Sequence, residues 1–184
     1  MHDPETESIA EASSATYQLH AVLVRVFETG VLLIGESGIG KSECALDLIT
    51  RGHQLCADDA VEVFAIEGLL FGRAPDITRH LLEIRGLGII NVPEIFGEQA
   101  VRDASEIELC IELGRTVEAS PLENAASDYA VAGGVIPKYV LPVSSGRNLT
   151  TLIETAVRLH HNGGNGNAAE LLIEEHTRML DPIR

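Results

Sequence analysis

The sequence predicts an α/β fold on three observations. The apolar run Val31-Leu32-Leu33-Ile34 leads straight into a glycine-punctuated loop and then into a stretch of helical period. Short segments of strand character recur between residues 55 and 143, and two helical stretches, 149–160 and 168–180, close the chain. Strand, loop and helix in immediate succession, set among further strands, is the pattern of a sheet with helices packed on it.

Residues 1–16 are polar, acidic and rich in Ala and Ser, so a flexible arm is expected there, with residues 17–184 forming one domain. Leu19 to Phe27 reads as a strand with Val22, Val24 and Val26 on one face. After the turn Glu28-Thr29-Gly30, the run Val31 to Ile34 is apolar on both faces, as a buried central strand is. A helix should follow from Lys41 to about Arg51, with Ala45, Leu46, Leu48 and Ile49 as its apolar face and Gly52 as its stop. Leu55-Cys56-Ala57 is a short strand ending in Asp58-Asp59, and 61–66 with 69–71 form a hairpin about Glu67-Gly68. Thr78 to Ile84 is expected as a short helix and Gly86-Leu87-Gly88 as a turn-rich loop; Pro93 interrupts the apolar stretch 90–96. Residues 107–113 alternate with Glu106, Glu108 and Glu112, predicting a half-buried strand with a solvated glutamate face. Residues 114–134 carry no period and read as a long loop. Residues 135–143 are strand-like, and Pro137 and Pro142 place them at a sheet edge. Residues 162–167 link the closing helices.

The chain carries 13 basic and 28 acidic residues, a net charge of −15. Such a field repels phosphate backbones, which argues against nucleic acid and favours a partner with a basic face. A nucleotide site remains open, because backbone N–H groups and a bound cation act locally. Cys44, Cys56 and Cys110 each stand among apolar residues, as buried thiols of a reducing compartment do. No run reaches the roughly 18–20 apolar residues of a membrane span, and the start lacks the pattern of a signal peptide. A cytoplasmic protein with no membrane partner is expected.

The chemistry enters at Gly35-Glu36-Ser37-Gly38-Ile39-Gly40-Lys41-Ser42, which fits G-x-x-x-x-G-K-[ST] at every fixed position. The glycines let backbone N–H groups converge on phosphate, Lys41 reaches the β and γ oxygens, and the Ser42 hydroxyl suits Mg²⁺. A chance glycine-rich turn is the bland alternative; the apolar strand before and the helix after weigh against it. A nucleoside triphosphate and Mg²⁺ are thus the expected ligands of the loop. Phosphoryl transfer also needs acids to hold the metal shell and to take the acceptor's proton, and Asp58-Asp59 follows a predicted strand. Adjacent carboxylates raise one another's pKa, which suits a base; a surface turn is the alternative. Glu83 and Arg85 lie between apolar neighbours, where a functional pair and a structural contact weigh equally. From pattern alone His20, a lone histidine before a strand, reads as structural, and His53, His80, His160, His161 and His176 show no metal-ligand spacing.

Beyond pattern, residues 20–102 closely resemble the catalytic domain of HPr kinase/phosphorylase. Three blocks carry the likeness: Gly30 to Leu48, Arg51-Gly52-His53-Gln54-Leu55 with Ala57-Asp58-Asp59, and Leu81-Leu82-Glu83-Ile84-Arg85-Gly86-Leu87-Gly88-Ile89-Ile90. Gly146-Arg147-Asn148-Leu149 is similar too. The resemblance implies a fold akin to phosphoenolpyruvate carboxykinase, a homohexamer, and ATP-dependent phosphorylation of a serine on the phosphocarrier HPr, with phosphorolysis of the seryl-phosphate as the reverse chemistry. It implies that His20 lies in the active site, that Lys41 holds phosphates, and that Ser42 and Glu83 ligate Mg²⁺. Asp59, with Asp58 beside it, becomes base in one direction and acid in the other. The signature Leu82-Glu83-Ile84-Arg85-Gly86-Leu87-Gly88-Ile89-Ile90-Asn91 would serve both directions, and Pro137-Lys138-Tyr139-Val140-Leu141-Pro142 mainly dephosphorylation. Only about 19 residues precede His20, so a short form without the family's N-terminal domain is expected. The family's Asp-Arg-Leu-Gly motif has no match; near Ser120-Pro121-Leu122-Glu123 the one arginine is Arg115. A kinase of a small-molecule hydroxyl and a nucleotide-sensing regulator stand beside this reading.

Overall fold

In the computed structural model, residues 16–114, 126–144 and 146–163 are described. Six strands make the main sheet, in the order β11(Ala126–Val131)-β12(Gly134–Pro142)-β10(Leu109–Gly114)-β3(Thr29–Gly35)-β2(Val22–Val26)-β4(Gln54–Ala57). The pairs β3–β10 and β10–β12 are parallel and the rest antiparallel. A four-stranded antiparallel sheet, β1(Tyr17–Leu19)-β5(Val61–Ile66)-β6(Leu69–Arg73)-β9(Ala104–Glu106), covers one face. Helices α1(Lys41–Thr50) and α3(Leu149–His161) cover the other.

Strand alternation sorts the core between these layers. Val22, Val24, Val31, Leu33, Leu109 and Ile111 face the helices, where Ala45, Leu48, Ile153 and Val157 meet them. Leu23, Leu32 and Cys110 point the other way, onto Val61, Val63, Leu70 and Ile107. Central strands buried on both faces have no room for polar side chains, which is why β3 reads as an unbroken apolar run. Where β3 crosses the small sheet, Gly30 is required: a Cβ there would stand 1.7 Å from the Glu106 carbonyl oxygen.

Several expectations are corrected. The predicted strand 19–27 is two strands: β1 joins the small sheet, β2 the large one, and His20 sits in the break. Thr78 to Ile84 is not a helix. Asp76–Thr78 is one 3₁₀ turn, and β7(Leu81–Ile84) pairs antiparallel with β8(Gly88–Asn91). Leu82 and Ile84 are buried while Glu83 and Arg85 are exposed, a period of two that only a strand delivers. Gly86 and Gly88 turn the hairpin at φ +87° and +91°. The apolar stretch around Pro93 is a short helix, α2(Val92–Phe96), with the proline in its first turn, where no N–H is missed. The expected long loop contains β11, and β12 lies inside the sheet between β11 and β10, not at its edge. Its prolines are tolerated because Pro137 precedes the first residue in register with β10, Lys138, and Pro142 is the last. Leu109, Cys110, Ile111 and Leu113 are all buried, so β10 is central and not half-solvated. The expected arm, bar its last residue, the helix at 168–180 and most of its linker lie outside the described residues.

Candidate active site

The loop of residues 35–40 leaves the carboxyl end of β3 and enters α1 through Gly40, whose left-handed conformation (φ +109°) caps the helix without a side chain. Its carbonyl accepts the first helical hydrogen bond, from Cys44 N–H at 3.0 Å. Gly35 is pressed against β10, where a Cβ would stand 2.6 Å from the Leu113 carbonyl oxygen. The strand pair and the helix thus fix both ends of the loop and aim the N-terminus of α1 at it, a ready anion site. Lys41 is buried, and its Nζ donates to the carbonyls of Gly35 at 2.9 Å and Glu36 at 3.2 Å. Burial lowers its pKa; the charges of Asp59 and Asp58 oppose that shift.

Strand β4 delivers the two aspartates into different settings. Asp58 is 3% exposed. Its Oδ1 accepts from Ser42 Oγ at 2.8 Å and its Oδ2 from the Glu83 backbone N–H at 3.0 Å. One carboxylate therefore ties α1 to β7. Burial is the main cause of its raised pKa, the two hydrogen bonds restrain the rise, and Asp59 adds less. The mutual effect of neighbouring carboxylates, expected from sequence, is thus secondary to desolvation.

Asp59 turns the other way, through a left-handed backbone (φ +64°) that is costly for a residue other than glycine. Its side chain is 69% exposed. His20 reaches it from the break between β1 and β2, with Nδ1 3.0 Å from Asp59 Oδ1 and 3.1 Å from its carbonyl oxygen. Lys41 Nζ lies 3.4 Å from His20 Nε2. An ammonium can only donate, so Nε2 is the acceptor and Nδ1 carries the proton given to Asp59. Asp59, His20 and Lys41 form one hydrogen-bonded relay along the cleft.

The β7–β8 hairpin closes the opposite wall. Leu82 and Ile84 anchor it in the core, and Glu83 and Arg85 line the cleft. The Arg85 guanidinium lies over the loop, 3.0 Å from where a Gly38 Cβ would be. Leu87 and Ile89 project into solvent, 75% and 68% exposed; Ile90 packs on the core, and Asn91 Nδ2 donates to Glu94 at 2.9 Å. The cleft, about 140 Å³, gathers His20, Lys41, Ser42, Asp58, Asp59 and Glu83 with Ser37, Gly38 and Gly40 of the loop. Val22 and Glu43 line it too, and sequence reasoning missed both; Glu43, an acid in the first turn after the loop, was the available signal.

Pro137 to Pro142 do not line this cleft; they run within the main sheet, where Lys138 Nζ donates to Glu112 Oε2 at 2.8 Å. That contact also gives Glu112 a partner where a merely solvated face was expected. Arg115 and residues 120–123 lie outside the described residues. Among the described residues no three His, Cys, Asp or Glu side chains cluster to cage a metal. The Ser42 hydroxyl and Glu83 carboxylate, both hard oxygen donors beside the buried Asp58, fit Mg²⁺, which takes few protein ligands and completes its shell with phosphate and water.

Comparison with known proteins gives one consistent answer. The family described as HPr Serine kinase C-terminal domain matches residues 11–177. An HPr kinase/phosphorylase of Chromobacterium violaceum is 44% identical over 179 residues, covering 94% of this chain and 56% of that protein. Another, from Mycoplasma pneumoniae, is 42% identical over 165 residues, covering 85% and 53%. The chain spans little more than half the length of these curated relatives. The solved structure of the HPr(Ser) kinase/phosphatase from Coxiella burnetii superimposes with a TM-score of 0.75 at 37% identity, over 80% of this chain and 97% of that one. The chain belongs to the HPr serine kinase C-terminal domain family.

Proposed function

We propose that this chain is an ATP- and Mg²⁺-dependent protein-serine kinase whose acceptor is the phosphocarrier HPr, with phosphorolysis of seryl-phosphorylated HPr as its reverse activity. The carrying observation is the division of labour between Asp58, buried and bonded to Ser42 and Glu83, and Asp59, exposed and bonded to His20.

In this reading the loop N–H groups and Lys41 bind the triphosphate, and Arg85 offsets charge from above the loop. Ser42 and Glu83 would hold Mg²⁺, and Asp58 keeps both in place through its two oxygens. The ion, when bound, neutralises phosphate charge. Asp59 takes the proton of the acceptor serine as its oxygen bonds to the terminal phosphorus and ADP leaves. His20, donating through Nδ1, orients that carboxylate. An open position for Asp59, on a cleft whose hairpin also exposes Leu87 and Ile89, supports a protein acceptor over a small metabolite. Three buried free thiols suit a reducing compartment, and we place the enzyme in the cytoplasm, as a homo-oligomer of the family's hexameric kind.

The test is phosphotransfer from Mg²⁺-[γ-³²P]ATP to HPr of the same organism. Label on a serine, absent with Lys41→Ala, is the expected result, and added phosphate should then release it as pyrophosphate. ATP binding without label on HPr would overturn the acceptor assignment.

A further inference from the structure

Rested on that reading of the loop as a triphosphate site, the structure raises a question of space. Ligand sites usually enclose about 300–1,000 Å³. The cleft holding Lys41, Ser42 and the aspartates measures about 140 Å³, and polar groups line most of it. It takes phosphates and metal; a ribose and base need room elsewhere.

A second cavity, about 500 Å³, adjoins it. The two share Gly40 and Glu43, so the ridge between them is the first turn of α1, where backbone N–H groups point at phosphate. The far wall is the segment Gly146 to Thr150, at the start of α3, and the floor is Cys44 and Asp47 of α1. A third cavity, lined by His53 and Phe96, lies at the opposite end of α1 and shares neither residue. We infer that the cavity between α1 and the start of α3 receives the ribose and base of the nucleoside triphosphate whose phosphates lie on the loop.

The lining supports that occupant over a second anion. Glu43 and Asp47 set two carboxylates against one guanidinium, Arg147, which disfavours another phosphate and suits an uncharged, hydroxyl-rich group. Asp47 Oδ2 accepts from Thr150 Oγ1 and lies 3.6 Å from Arg51 Nε. Among the described residues its Oδ1 has no hydrogen-bond partner, so it can accept from ribose hydroxyls. The planar Arg147 can stack on the base, and Leu149 and Cys44 supply apolar contact. Asn148 is already engaged, its side chain accepting from Thr151 N–H at 3.0 Å to cap α3. The cap and the Thr150–Asp47 bond together brace the wall against α1.

The experiment is calorimetric titration of the full chain with Mg²⁺ and three probes: ATP, 2′,3′-dideoxy-ATP and inorganic tripolyphosphate. ATP should bind roughly tenfold or more tightly than tripolyphosphate, with dideoxy-ATP between them. Arg147→Ala should weaken ATP about tenfold and leave tripolyphosphate unchanged, which also certifies its fold. Equal affinity for ATP and tripolyphosphate in the unaltered chain would overturn the nucleoside cavity and leave the triphosphate site standing. An equal loss of both probes in Arg147→Ala would overturn it too. Failure to bind either probe would refute the triphosphate reading itself.

Discussion

Asp58 and Asp59 are neighbours in sequence and opposites in setting, and their replacements should separate two effects. Asp59→Asn keeps the size of the side chain and a contact for His20 but loses the carboxylate proposed as the base. Nucleotide should bind as before while phosphotransfer falls by 10² or more, on the order of what general-base catalysis supplies; unchanged turnover would remove Asp59 from that role. Asp58→Asn keeps an acceptor and removes a buried charge whose desolvation the fold must offset. Transfer should again be lost, yet the thermal midpoint should hold or rise. A fall of many degrees would show that the charge itself holds α1 and β7 together.

At the scale of elements, Gly30 is the point where β3 and β9 touch, and Gly30→Ala would set a methyl 1.7 Å from a backbone oxygen. No side-chain rotation relieves a backbone clash, so the variant should be insoluble or lose more than about 3 kcal/mol of stability; a soluble protein with an unchanged denaturation midpoint would contradict the crossing. Elements whose signals are local were legible in sequence: the glycine loop, α1 and the β5–β6 hairpin all declare themselves by spacing. Elements defined by partners were not. Strand β11 buries only Val131, so it shows no alternation. Strand β7 is only four residues long, and the adjacent leucines Leu81-Leu82 mask its period of two until β8 is placed beside it. The site followed the same rule. Sequence brought Asp58, Asp59, Ser42 and Lys41 forward, but that Asp58 bonds the Glu83 N–H, that His20 bridges Asp59 and Lys41, and that Arg85 covers Gly38 depend on contacts far apart in the chain.

At the scale of the molecule, a net charge of −15 steers partners by the sign of their surface. Raising ionic strength from about 0.01 to 0.15 M shortens the screening length from about 30 to 8 Å. The kcat/KM for a protein acceptor with a basic face should therefore fall several-fold over that range, chiefly through association; a salt-independent value would show that the field plays no part in docking. The same core keeps its thiols inert. Cys56 and Cys110 are pushed up to about 12 and Cys44 to about 11, all mainly by burial, so at pH 8 each stays protonated and shielded. Labelling by a disulfide reagent should track global unfolding in denaturant, and rapid labelling in native buffer would expose a loose core.

Strand β3 carries the loop, yet its parallel neighbour β10 comes much later: Leu109 pairs with Val31, and the Gly30 N–H donates to the Glu108 side chain across 78 positions. A growing chain that has made β3 must therefore keep the N–H and C=O groups along one edge of that strand unpaired until the later segment leaves the ribosome. The hairpin with β2 can form early, but Gly35 has nothing to lean on until Leu113 arrives. The loop is consequently seated only after β10 has been made, when the chain returns to complete what β3 began.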